Sequence, residues 1–187
     1  VTGVARELAA LTGKKLPVPA GVIPRSSSGK RAPLTVRIED RKLCPKYTAR
    51  VICNVAVGTS PEKLRKRLDA VGLRAVNNVV DVTNFCLFET GEPMHAFDLD
   101  KIEGSTVVVR RARKGERLVT IDGVARELDD SMIVIADAAK PIALAGVMGG
   151  LDTEVTAATK NVLLEAAAFD PISIRRTSRT WLRNLST

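Results

Sequence analysis

Apolar and β-branched residues fall into short runs bounded by turn residues along most of this chain, with helically spaced runs at a few places. The segments "LTVRIED" (34–40) and "YTARVICNVAVG" (47–58) read as strands, as do "STVVVRRAR", "ERLVTI", "VARELD" and "SMIVIAD" further on. Asp122-Gly123 marks a hairpin between two of these. "PIALAGVMGG" (141–150) reads as a strand running into a glycine turn, and "NVLLEAAAF" (161–169) as a buried strand. Helical patterning covers residues 3–11, ending at Gly13. A second helix is opened by Ser60-Pro61-Glu62, with Ser60 as N-cap and Pro61 at the first helical position, and stops at Gly72. Asn78 can cap a third helix, which has Asp81 three residues on and ends near Gly91. That helix contains Thr83 and Asn84 and leaves His95 in the loop after it. A last helix starts at Asp170-Pro171. Hairpins outnumber any β-α-β rhythm, so the expected fold class is α+β: a mixed, largely antiparallel sheet with packed helices.

A Pro-, Ser- and Gly-rich stretch, "PVPAGVIPRSSSGKRAP" (17–33), ends an N-terminal arm of residues 1–33, a helix plus basic linker, ahead of a main domain over 34–187. Residues 1–31 carry six Lys/Arg against one Glu, which makes this arm a basic linker behind a short helix. The chain starts at Val1 and stops at Thr187 inside a helical pattern, so it is expected to be part of a longer polypeptide.

A hydrophobic content of 45% supports a real core, which the 3% of aromatic residues makes mostly aliphatic. The net charge of +8 suggests an anionic partner such as nucleic acid, or simply a solvated basic surface. Arg175, Arg179 and Arg183 recur at helical spacing and form one basic stripe, either a solvated face or a track for phosphates. Cys44, Cys53 and Cys86 contain no Cys-x-x-Cys pair, and a single histidine cannot complete a usual zinc set, so no metal site and buried reduced thiols are expected. No apolar run approaches the roughly 20 residues needed to cross a bilayer, and no signal peptide is recognisable, so no membrane partner is expected.

Glu165 lies between apolar neighbours in its strand, where a carboxylate is expensive unless paired. It reads either as a strand-end acid facing water or as an acid at the base of a pocket. Gly146, Gly149 and Gly150 end a strand and make either a plain tight turn or a close approach for a ligand; their spacing is not that of a Walker A loop. No Ser/His/Asp or Cys/His nucleophilic set can be assigned, and His95 by itself is as readily structural as functional.

"RLDAVGLRAVNNVVDVTNF", "EPMHAFDLDKI", "PIALAGVMGG" and "NVLLEAAAFDP" occur here in this order, and together, at close to the family's spacing, they resemble the bacterial-type phenylalanyl-tRNA synthetase beta subunit in its B3/B4 editing domain, over nearly the whole chain. "GVARELAALTGKKL" resembles the helix preceding that domain. The resemblance implies proofreading by hydrolysis of the ester in mischarged Tyr-tRNA. A hydrophobic synthetic pocket rejects an added hydroxyl poorly, whereas a site that hydrogen-bonds it discriminates well. Carried over, the pocket uses Glu165, Gly146, Ala145 and Thr187 for the tyrosyl group, with Thr83, Asn84 and His95 toward the amino-acid backbone and ester. His95 would orient the attacking water or act as a base. The implied partners are tRNA(Phe), mischarged Tyr-tRNA and a catalytic alpha subunit in an alpha2beta2 assembly, in the cytoplasm. No cofactor is implied for this domain; ATP and magnesium belong to the whole enzyme elsewhere. A free-standing trans-editing deacylase and a non-catalytic RNA-binding or scaffold module are the alternatives.

Overall fold

The structure is a computed structural model that describes residues 1–17 and 33–183, with side chains through 180. The basic linker and Thr187 lie outside the described residues. In chain order the elements are α1 (Thr2–Thr12), β1 (Thr35–Ile38), β2 (Lys46–Ile52), α2 (Glu62–Asp69), α3 (Asn78–Thr90), β3 (Met94–Asp98), β4 (Thr106–Arg111), β5 (Arg117–Val119), β6 (Ala125–Glu127), β7 (Ile133–Ala136), β8 (Pro141–Leu144), β9 (Met148–Gly149), β10 (Val162–Ala168) and α4 (Pro171–Arg183). The fold is α+β with mixed, mostly antiparallel sheets.

A five-stranded sheet runs in the order β1-β4-β7-β8-β9, parallel between β1 and β4 and antiparallel elsewhere. A three-stranded antiparallel sheet runs β2-β10-β3. Side chains alternate across a strand, so the register puts Tyr47, Ala49 and Val51 beside Leu163, Glu165 and Ala167, and beside His95 and Phe97, on one face. The apolar members of that face pack with Val107, Val109, Ile133 and Ile135 of the larger sheet. The opposite face, through Ala96, Val162 and Leu164, packs with Val55, Val57 and Val79 of α3. The far side of the large sheet is covered in turn by Leu118 and Leu128 of the β5–β6 region, which pack on Val134 and Leu144. Burial from both sides explains why β7 and β8 read as continuous apolar runs rather than alternating ones.

Three local expectations are corrected. Asn77, not Asn78, caps α3, its side chain accepting from the N–H groups of Val79 and Val80 at 3.0 Å. Asn78 instead ties the helix to the preceding loop, accepting from Gly58 N–H and donating to Ala56 O. Ser60 does not cap α2: its hydroxyl donates to Asp81 Oδ2 at 2.5 Å, and Pro61 takes the N-cap position. His95 lies within β3, not in a loop. The turn at Gly91 is short enough for the chain to enter β3 at Met94 and pair along β10. The start at Asp170-Pro171 is as expected, with the Asp170 carboxylate accepting from Ser173 N–H at 2.7 Å. The expectation of buried thiols is also corrected: only Cys44 is buried, whereas Cys53 is exposed just after β2 and Cys86 is half-buried; all are free thiols.

Asp81 is fully buried and holds two elements together, accepting from the Ser60 hydroxyl and, at 2.8 Å, from Val76 N–H. Asp81→Ala would strand both donors, at a cost of about 3 kcal/mol. Asn77→Ala loses a helix cap, worth about 1 kcal/mol. Urea unfolding of both variants tests this ranking; equal losses would show that the two hydrogen bonds to Asp81 contribute no more than a single helix cap.

Candidate functional site

Four acids are buried among the described residues: Asp81, Asp98, Asp137 and Glu165. The three aspartates are saturated. Asp81 accepts from Val76 N–H on Oδ1 and the Ser60 hydroxyl on Oδ2. Asp98 accepts from Asp100 N–H on Oδ1 and the Thr159 hydroxyl on Oδ2. Asp137 takes Ala139 and Lys140 N–H on Oδ1 and Glu103 N–H on Oδ2. Glu165 differs. It is 5% exposed, yet its one hydrogen bond is from the Tyr47 hydroxyl to Oε2 at 3.2 Å. No fully enclosed side-chain oxygen or nitrogen among the described residues lacks a partner. Oε1 is therefore not sealed in, and Glu165 lines a cavity.

That cavity, of about 220 Å³, lies between the two sheets. Glu165 and Ala167 of β10, Met94 and His95 of β3, Ala143 and Leu144 of β8, and the turn from Gly146 to Gly149 line it, with Phe169 and Ile135. The lining is largely apolar, with Glu165 and His95 as its ionisable groups. Its size is below that of a drug-sized pocket and suits a single side-chain-sized group.

Burial sets the charge states. It pushes the Glu165 carboxyl up to about 8, with the Tyr47 hydrogen bond pulling the other way. It also pulls the His95 imidazole down to about 4, so this ring is neutral at neutral pH. His95 packs edge-on against Phe97, with ring centroids 4.4 Å apart. A Cβ added at Gly149 would sit 2.6 Å from His95 Cε1, so the ring lies directly on the glycine backbone. Gly146 occupies the left-handed region (φ 65°) in the β8–β9 turn, and a Cβ there would meet Ile174 of α4 at 3.2 Å.

The structure thus brings His95, Gly146 and Glu165 to one cavity. Ala145 is buried next to Gly146, its N–H bonded to Ile133 O, and is not part of the lining. Thr83 and Asn84 lie on α3, which packs against β3, and do not line the cavity; the Thr83 hydroxyl donates to Val80 O within its own helix. Arg175 and Arg179 are exposed and line a surface groove on α4 with Arg176. Arg183 ends the helix, and its side chain lies outside the described residues. Sequence reasoning missed Tyr47. The available signal was that the chain's single tyrosine opens a strand, while an apolar strand elsewhere holds an acid in need of a donor.

The B3/4 domain family matches residues 43–184. The chain is 53% identical over 179 residues to a phenylalanine-tRNA ligase beta subunit from Moorella thermoacetica, and 51% and 50% identical to those from Carboxydothermus hydrogenoformans and Geobacter sulfurreducens. Each match covers 96% of this chain and 22% of the relative, so the chain spans about a fifth of the length of these relatives. An N-terminal fragment of the phenylalanyl-tRNA synthetase beta-subunit from Pyrococcus horikoshii shares the fold at 16% identity, with a TM-score of 0.54 over 92% of this chain and 52% of that one. Among the described residues, no helix is long and apolar enough to cross a membrane.

The charge states predict a pH dependence of stability. Folded Glu165 keeps its proton up to about 8, against an ordinary value of 4.5, so between these the folded state binds more protons and stability falls as pH rises. His95 does the reverse between about 4 and 6.5, raising stability as pH climbs. From pH 6.5 to 8 the Glu165 effect stands alone. Glu165→Gln should flatten that decline, by at most about 1.4 kcal/mol per pH unit. Urea unfolding of both proteins across the window checks it; parallel curves would mean an unshifted carboxyl.

Proposed function

The chain belongs to the B3/4 domain family of phenylalanine-tRNA ligase beta subunits, and we propose that it is the editing domain of such a subunit, hydrolysing the ester of mischarged Tyr-tRNA(Phe). The observation that carries this reading is Glu165: a buried carboxyl with one oxygen committed to Tyr47 and the other without a partner among the described residues, on a residue that lines a small apolar cavity. Such a site favours a ring that ends in a hydroxyl. Ionised, Oε1 accepts the phenol's hydrogen bond; protonated, it donates to the phenol oxygen. Phenylalanine satisfies neither state. In this reading the backbone at Gly146, which lines the same cavity, makes a second contact to the phenol.

His95 faces the same cavity as a neutral imidazole. In this reading it hydrogen-bonds a water placed against the ester carbonyl. The water oxygen adds to the carbonyl carbon, the bond to the ribose oxygen breaks, and that oxygen leaves with a proton. Thr83, Asn84, Ala145 and Thr187 belong to the proposed site through the family resemblance, with Thr83 and Asn84 toward the ester. The basic stripe of Arg175, Arg179 and Arg183 would track tRNA phosphates. The proposed setting is cytoplasmic, in an alpha2beta2 complex with the catalytic alpha subunit, with residues 34–187 as the editing unit behind the linker of 1–33.

Glu165→Ala in the intact alpha–beta complex should reduce the ratio of Tyr-tRNA to Phe-tRNA deacylation by roughly 2- to 10-fold at neutral pH, where the carboxyl is protonated and its hydrogen bond is worth about 0.5–1.5 kcal/mol, and by roughly 10- to 150-fold above pH 8, where it is charged and the bond is worth about 1.5–3 kcal/mol. Phenylalanine attachment should be unaffected. An unchanged ratio would remove Glu165 from substrate recognition.

Neutralising Arg175, Arg179 and Arg183 together should weaken tRNA binding and lower the slope of log affinity against log salt by roughly 2–3 units. Binding measured at several salt concentrations decides it: an unchanged slope would show that the stripe is only solvated surface.

A further inference from the structure

We propose that Tyr47 is a specificity-determining positioning residue: its hydroxyl clamps Oε2 of Glu165, so that Oε1 is the oxygen offered to a hydroxyl-bearing ligand in the cavity between the sheets. This rests on the editing reading of that cavity and deepens it.

Tyr47 and Glu165 are 118 residues apart in sequence but diagonal neighbours on one face of the three-stranded sheet, because Tyr47 pairs with Ala167 and Ala49 with Glu165. Tyr47 approaches from β2, on the side of Glu165 away from His95 on β3. It is not part of the cavity lining, so a ligand does not need to displace it. Its donated hydrogen bond has two consequences. It fixes the carboxyl torsion, since no other side chain among the described residues donates to Glu165. It also leaves Oε2 as an acceptor, so any proton on the carboxyl resides on Oε1 and points at the ligand. The other titratable groups facing Glu165 are His95 on β3, neutral, and the thiol of Cys44 before β2, which burial and Glu165 push up to about 11. The turn over residues 143–149 contributes none. Among the described residues, Tyr47 is thus the one group that holds Glu165 toward its ionised form.

The test is Tyr47→Phe in the intact alpha–beta complex, with phenylalanine attachment to tRNA as the check on assembly. Deacylation of Tyr-tRNA and Phe-tRNA is followed from pH 6 to pH 9, corrected for spontaneous hydrolysis, with Glu165→Ala in parallel. Losing the hydroxyl should reduce the Tyr-to-Phe ratio about tenfold at neutral pH, expressed in KM for Tyr-tRNA rather than in kcat. It should also move the pH midpoint of that ratio upward, because the carboxyl loses the hydrogen bond that favours its charged form. Equal slowing of both substrates with an unmoved midpoint would overturn the inference and leave Tyr47 a packing residue. If Glu165→Ala removes discrimination while Tyr47→Phe changes nothing, the inference fails and the editing reading stands. If Glu165→Ala itself leaves the ratio intact, both fall together. An unstable Tyr47→Phe protein would be replaced by Tyr47→His, which keeps a ring-borne donor and should retain part of the ratio if the clamp operates.

Discussion

A carboxyl buried in the inner face of a sheet, held by one phenol, is the constraint around which this domain is arranged. Glu165 sits in the central strand of its sheet, with β2 on one side and β3 on the other. Burying an acid there without partners would be severely unfavourable. Among the described residues the fold supplies one donor, Tyr47, and stops short of a second. The other buried acids are treated differently, with both oxygens occupied by backbone or hydroxyl donors. Asp81, Asp98 and Asp137 act as internal struts. Glu165 is left as an acid with remaining hydrogen-bonding capacity, and the cavity lies where that capacity points.

The rest of the architecture maintains this arrangement. Phe97 and Leu163 beside Glu165 are completely buried against the five-stranded sheet, which fixes the separation of the two sheets. The β8–β9 turn then closes over the cavity. It does so with glycines because backbone lies against the imidazole at Gly149 and because Gly146 needs a left-handed conformation. Gly150 serves close strand packing rather than the cavity, since a Cβ there would meet Ile142 O at 2.5 Å. One "GVMGG" run therefore contains a turn residue, a site residue and a packing residue, which composition alone cannot separate.

Much of the fold was legible in the sequence because its signals are local. The apolar runs, the Asp122-Gly123 hairpin and the Asp170-Pro171 helix start depend on neighbours within a few positions. What failed depended on partners far away. Ser60 has the chemistry of a cap but finds a carboxylate 21 residues on. Asn77 and Asn78 are equally good caps, and only the path of the preceding loop decides between them. "MHAFD" is too short to declare itself a strand until β10 is there to pair with it. The parallel pairing of β1 with β4 joins segments about 70 residues apart and leaves no trace in either. For the cavity, Glu165 stood out as an acid among apolar residues, whereas its partner Tyr47 did not, since a tyrosine in a strand is ordinary.

The depressed basicity of His95 limits what chemistry the cavity supports. A general base works best with a pKa near the working pH. Burial pulls this imidazole to about 4, so it is neutral but weakly basic. It is poorly suited to removing a proton from a difficult nucleophile and well suited to accepting a hydrogen bond from water. Its position, edge-on to Phe97 and close against the Gly149 backbone, gives it little freedom to turn. An aminoacyl ester is already activated, so holding a water in line with its carbonyl can supply the acceleration without a covalent intermediate. In the proposed reading, substrate choice and water placement fall to two neighbouring residues on adjacent strands. Glu165 and His95 are register partners across β10 and β3. One backbone pairing would therefore set the distance between the group proposed to read the ring's hydroxyl and the group proposed to hold the water.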